Sequence, residues 1–167
     1  MKWHEYWNQR SFRYFPWLMV AIIVIALDQG SKFWMQDLLE FNNPMMITSW
    51  FDLRLAFNTG AAFSFLAFAG GWQHFFFISL SLAISAGILL WIYLMPPRQL
   101  PIVLALQFIL GGAIGNFVDR VRLGHVIDFI HLHYHEYSWP IFNVADSAIC
   151  LGAVLWVLSS MRDGKSG

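Results

Sequence analysis

Two aspartates in this chain stand apart from any neighbouring cation. Asp128 lies in His125-Val126-Ile127-Asp128-Phe129-Ile130, and Asp146 in Phe142-Asn143-Val144-Ala145-Asp146-Ser147. No basic residue falls within a helical turn of Asp146 in sequence. Two carboxylates held close together cannot both ionise easily, so they share a proton and supply one base and one acid near neutral pH. Such a pair activates water against an amide. The loop between the two positions is short enough for the chain to turn and bring both to one site, and pairing them is the chemistry that these residue types suggest.

The elements that must position them follow from composition. The chain has 167 residues, of which 58% are hydrophobic and 12% charged, against about 25% charged in an average soluble domain. A single core of this length cannot hide so much apolar surface from water. Ten basic and ten acidic residues give a net charge of zero, which leaves no basic footprint for nucleic acid. The single Cys150 excludes a disulfide within the chain. Four stretches are long and apolar enough to span a bilayer, at approximately 16–34, 72–94, 100–118 and 140–160. Lys2, Arg10 and Arg13 precede the first one, as in a signal peptide, but Asp28, Gln29 and Lys32 stand where a small-residue cleavage site would be. A retained signal anchor is expected. The turn Met95-Pro96-Pro97-Arg98 makes a hairpin of spans two and three. Basic residues on the side of the termini (Lys2, Arg10, Arg13, Arg98, Arg162, Lys165) outnumber those opposite (Lys32, Arg54, Arg120, Arg122), which places both termini in the cytoplasm. Between the first two spans, Phe51, Leu53, Leu55 and Phe57 alternate with Asp52, Arg54, Ala56 and Asn58, the period of a strand. The expected architecture is an all-α integral membrane protein: a four-transmembrane-helix bundle forming a single domain, with a small extracytoplasmic β-cradle between helices 1 and 2.

On this topology the polar residues of the spans gather at one membrane face: Asp28 and Lys32, then Asn116, Asp119 and Arg120, then Asn143 and Asp146. The Asn58-Thr59-Gly60 turn and Asp128 belong to loops opening on the same face. A charge at mid-bilayer costs about 2.5–3.5 kcal/mol on insertion scales, so ionisable residues there are functional candidates. Asp28 with Lys32, and Asp119 with Arg120, are readily explained as ion pairs that tie helix ends. Asp146, six residues past Pro140, is expected about 9 Å along its helix. Gly111, Gly112 and Gly115 make a small-residue face suited to helix packing. His125, His131, His133 and His135 with Glu136 resemble a metal cluster at first sight, but no His-Glu-x-x-His is present. Solvated interfacial histidines explain them better, and no metal is expected. Cys150 reads as a small buried core residue.

Taken together, Asp28-Gln29-x-Ser31-Lys32, Phe57-Asn58-Thr59-Gly60-Ala61-Ala62-Phe63, Gly111-Gly112-Ala113-Ile114-Gly115-Asn116-Phe117-Val118-Asp119-Arg120, Val126-Ile127-Asp128-Phe129 and Phe142-Asn143-x-Ala145-Asp146-Ser147 resemble the lipoprotein signal peptidases, or signal peptidase II. Five blocks stand in family order and spacing from Asp28 to Ser147. The resemblance implies an intramembrane aspartyl endopeptidase of the bacterial cytoplasmic (inner) membrane, with its active site near the extracytoplasmic face. Its partners would be prolipoproteins cut just before a diacylglyceryl-modified cysteine, membrane lipid, and globomycin-type inhibitors. The family's catalytic pair maps onto Asp128 and Asp146. Asp28, Lys32, Asn58, Gly60, Gly112, Asn116, Arg120 and Asn143 match positions expected to bind substrate or shape the site, and Asp119 one with a structural role. No cofactor is implied. The alternative is a small four-span proton-coupled transporter or channel using Asp28, Asp119 and Asp146, which predicts ionisable residues spread across the membrane depth.

Overall fold

Each apolar run forms a helix. In the computed structural model, which describes residues 14–60, 70–96 and 99–163, a 3-10 turn at Phe15–Trp17 leads into α1 (Leu18–Leu38), followed by α2 (Trp72–Leu94), α3 (Leu100–Leu123) and α4 (Val144–Asp163). All four are long and apolar enough to cross a membrane. At 1.5 Å per residue they measure about 30–36 Å, close to the roughly 30 Å of a bilayer's hydrocarbon. Leu27, Phe33 and Trp34 on α1 and Leu90 and Leu94 on α2 are exposed. In water they would be a liability. In lipid they are the expected surface, and the chain is a multi-pass membrane protein.

The helix α3 packs against the other three and is the most buried of them, at 56% of its apolar window against 17–28% elsewhere. Its glycines let the neighbours in. A Cβ on Gly112 would collide with the carbonyl oxygen of Ala145, and one on Gly115 would sit 2.5 Å from the Asp28 carboxylate. The small-residue face expected from sequence is thus a packing face, and at Gly115 it also makes room for a charged group. Gly124, at φ 81°, ends α3 in the left-handed conformation that glycine tolerates best.

Strands β1 (Met45–Thr48) and β2 (Phe51–Asn58) lie between α1 and α2, and β2 coincides with the alternating segment. Strands β3 (Val126–Tyr134) and β4 (Tyr137–Ser138) lie between α3 and α4. The four form one antiparallel sheet in the order β1-β2-β3-β4. The cradle is therefore shared between two connections, where only the first was expected. Asp128 is correspondingly on a strand, and the expected loop is corrected. The segment Val-Ile-Asp-Phe-Ile-His-Leu-His-Tyr is rich in the β-branched and aromatic side chains that fit a pleated surface. Its first four residues are buried, with Ile127 and Phe129 packing on Leu55 and on Met35 and Leu39 at the end of α1. The sequence window placed the start of span four at 140, but Pro140, Ile141 and Phe142 precede the helix. Phe142 instead bridges to Ile130 of β3.

Lys2, Arg10, Arg13, Ala61, Ala62, Phe63, Arg98 and Lys165 lie outside the described residues.

Candidate active site

The first turn of α4 leaves backbone amides without helical partners, and the side chains that satisfy them build the site. Asn143 caps the helix: its Oδ1 accepts from the Asp146 amide at 2.9 Å, and its own amide donates to Asp146 Oδ2 at 3.3 Å. This is the reciprocal arrangement of a capping box. The Ala145 amide donates to Asp28 Oδ1 at 2.9 Å. Asp146 is thus in the opening turn of α4, where a carboxylate also meets the positive end of the helix dipole. The expected depth of 9 Å is corrected, because the helix begins at Val144 and not near Pro140.

Asp128 is delivered by β3. The Phe142 carbonyl accepts from the amides of Phe129 and Ile130 at 3.0 and 2.8 Å, and the Phe142 amide returns a bond to Ile130 at 3.0 Å. That clasp holds Asn143 beside Asp128, and the Asn143 Nδ2 donates to Asp128 Oδ1 at 2.6 Å. The other Asp128 oxygen accepts from Asn58 Nδ2 at 3.1 Å. Asn116 Nδ2 donates to Asp146 Oδ1 at 2.8 Å. The two aspartates left without local cations in the sequence therefore share one hydrogen-bonding residue, Asn143, and they line one cavity of about 480 Å³. Burial from water, together with the charge of Asp146, pushes the Asp128 carboxyl up to about 7. The bonds from Asn58 and Asn143 and the Lys32 charge pull against that rise.

Behind the pair lies a buried polar cluster. Lys32 Nζ reaches Asp28 Oδ2 and Asp119 Oδ2 at 2.8 Å each and Asn116 Oδ1 at 3.1 Å, which occupies its three donors. Asp119 also accepts from Gln29 at 2.8 Å and from the Ile127 amide at 3.2 Å, so it orients the start of β3. The expected Asp119–Arg120 pair does not form. Adjacent residues on a helix point about 100° apart, and Asp119 turns to Lys32 while Arg120 turns to the cavity. There Arg120 donates to the Gly60 carbonyl at 3.0 Å and lies over the Phe77 ring at 5.1 Å. Gly60 in turn donates its amide to Asn58 Oδ1 at 2.9 Å. Asp28, Lys32, Asn58, Gly60, Asn116, Arg120 and Asn143 all meet at or next to the two aspartates. Gly112 stands one layer behind, against α4.

Two further expectations are corrected. His131 is buried and bonded to Asp52 and Ser138, so it is not a solvated interfacial histidine. Its place in the sheet seals it. Cys150 is exposed and lines the cavity, because one helical turn past Asp146 keeps it on the same open face of α4. Sequence reasoning gave no role to Gln29, Phe77 or the cavity wall of Trp139, Pro140 and Ile141. Pro140 and Ile141 fall inside the apolar window of span four, which reads them as helix and so hides that wall.

A family model described as Signal peptidase (SPase) II matches residues 20–162. Lipoprotein signal peptidase from Cellvibrio japonicus is 46% identical over 154 residues, covering 92% of this chain and 86% of that protein. The one from Teredinibacter turnerae is 47% identical over 149 residues, with 89% of each covered, and the one from Pseudomonas aeruginosa is 43% identical with 91% of each covered. A bacterial membrane enzyme solved by the in meso method at 2.3 Å superposes with a TM-score of 0.80 at 27% identity, over 89% of this chain and 88% of that one. A second such structure, at 1.9 Å, gives 0.76. With the matched model spanning all four helices and both halves of the sheet, the chain belongs to the signal peptidase II family.

Proposed function

We propose that this chain is an intramembrane aspartic endopeptidase that removes signal peptides from prolipoproteins, with Asp128 and Asp146 as its catalytic pair. The observation that carries the reading is the link through Asn143, which bonds one oxygen of each carboxylate at the end of a single cavity. One ionised aspartate takes a proton from the attacking water, while its protonated partner polarises the scissile carbonyl and then protonates the leaving amine. The proton belongs to the pair. The raised Asp128 carboxyl supports a shared proton near neutral pH. Asn116 and Asn143 hold the carboxylates, and Arg120 with Asn58 and Gly60 closes the cavity's polar end. This chemistry draws on no metal or cofactor.

The cavity walls are apolar, from Val126, Trp139, Pro140, Ile141 and Phe142 to Ile149. That lining suits a substrate that is itself a membrane helix with acyl chains on the residue after the cut, and supports cleavage before a diacylglyceryl cysteine. Globomycin-type inhibitors would occupy the same cavity. The balance of basic residues supports a cytoplasmic-membrane orientation with both termini inside and the aspartates near the outer face. The whole chain acts as one membrane domain. The test is cleavage of a diacylglyceryl-modified prolipoprotein in detergent, beside its unlipidated form. Asp128→Asn and Asp146→Asn should each abolish turnover without loss of fold, and wild-type rates in either would refute the reading.

A further inference from the structure

Asp128 and His131 are three apart on β3, so their side chains face opposite sides of the sheet. On the side away from the aspartate pair, three potential ligands converge. Asp52 of β2 is registered directly opposite His131, and His133 follows two residues on, on the same face. Asp52 Oδ2 lies 3.0 Å from His131 Nδ1 and 3.2 Å from His133 Nε2, and the three donor atoms all lie within 4.8 Å of one another. Ligands of a tetrahedral ion at metal–ligand distances of 2.0–2.1 Å stand roughly 3.3 Å apart. The two distances from the carboxylate oxygen are already close to that, and the imidazole nitrogens lie within 4.8 Å of each other.

We propose that Asp52, His131 and His133 form a zinc-type divalent metal site, distinct from the aspartate pair, that staples β2 to β3. Two imidazoles and a carboxylate are a donor set that zinc accepts, with water completing four-coordination. His131 Nε2 lies 2.7 Å from Ser138 Oγ of β4, which is itself 3.5 Å from the Trp139 carbonyl. With a cation bound between them, Nδ1 and the Asp52 carboxylate both ligate the ion, and Nε2–H donates to the Ser138 hydroxyl. An outer partner on the second ring nitrogen is the usual way in which a ligating histidine is oriented. Asp52 and His131 are buried, while His133 keeps 26% of its side chain exposed, which supplies an entry path. The site lies about 10 Å along β3 from Asp128, three residues at 3.3 Å each. Its role is therefore to fix the strand pair that carries Asn58 and Asp128, with no part in bond cleavage.

The test uses the full chain without a polyhistidine tag, purified in detergent and stripped with a chelator. Titration with Zn²⁺ by calorimetry should give one ion per chain, and Co²⁺ should give the visible absorption of a tetrahedral site. His133→Ala, at a partly exposed position where folding is least at risk, and Asp52→Asn should each weaken Zn²⁺ binding by more than about tenfold and remove the cobalt signal. His135→Ala, in the hairpin turn outside the cluster, should change neither. Absence of saturable one-to-one binding by the wild type, or equal binding by His133→Ala, would overturn the proposal. So would loss of binding in His135→Ala. Because the readout needs no substrate, its failure leaves the peptidase reading standing, and failure of the aspartate variants leaves the metal site standing.

Discussion

Asn143 joins three tasks in one residue: its side-chain Oδ1 caps α4, its backbone amide holds the Asp146 carboxylate, and its side-chain Nδ2 reaches Asp128. Removing it should be felt in stability and rate unequally. Asn143→Ala should cost about 1 kcal/mol as a lost cap but lower kcat more than about a hundredfold, because Asp128 loses an orienting donor and the turn that carries Asp146 loses its cap. Melting and turnover measured on the same preparation check this. Asp128 makes a second prediction. Its folded pKa of about 7 lies above the ordinary carboxyl value of about 4, so between those limits the folded state binds more protons than the unfolded one. Stability from this group is therefore lost as pH rises from about 4 to about 7. Asp128→Asn lacks that titration, so its Tm minus that of the wild type should grow across this window. Parallel Tm curves would contradict it. Cleavage should decline on the alkaline side with an apparent midpoint near about 7, a value belonging to the pair.

At the scale of elements, a β-bulge sorts the chemistry. Leu53 pairs with Ile130 and Ala56 with Asp128, which leaves Arg54 and Leu55 of β2 against Phe129 alone of β3. One extra residue reverses which side chains face which side. Asp52 thereby joins His131 on one face while Asn58 meets Asp128 on the other, although strict alternation had put both on the same face. The α3–α4 contact is equally demanding. Gly112→Ala should cost about 1–3 kcal/mol through overpacking against the Ala145 carbonyl and also slow cleavage, since Ala145 adjoins Asp146. Gln107 of α3 is fully buried, and neither of its amide atoms has a hydrogen-bond partner among the described residues. Gln107→Leu should therefore raise Tm, by up to about 1–3 kcal/mol of stability.

Across the whole molecule, four carboxylates (Asp28, Asp119, Asp128 and Asp146) face two cations, Lys32 and Arg120, in one cluster. Lys32 ties α1 to α3 and, through Asn116, reaches Asp146. Lys32→Met leaves two buried carboxylates uncompensated and should cost about 3–5 kcal/mol, measured as Tm in detergent. The clustering also bears on the transporter alternative. A proton pathway needs ionisable groups through the depth of the bilayer, whereas these sit together where α1, α3 and α4 meet the sheet. Liposomes containing the protein should show no proton flux that depends on Asp146.

The one-dimensional string settled what depends on local composition. Scarcity of charge and four apolar runs dictate membrane helices, because lipid accepts little else. With so few ionisable residues, Asp128 and Asp146 stand out, and five motif blocks carry the family. Period-two alternation located β2. It could not locate its partner, since β3 is buried on both sides over its first half and lacks an alternating signature. Pairing is a long-range property: Asp52 meets His131 across 79 residues and Asn58 meets Asp128 across 70. Tertiary structure alone decided the register shift at the bulge, the start of α4 at Val144, the turning of Asp119 toward Lys32 rather than Arg120, and the burial of His131. Each depends on which surfaces meet in space, and neighbours along the chain do not encode that.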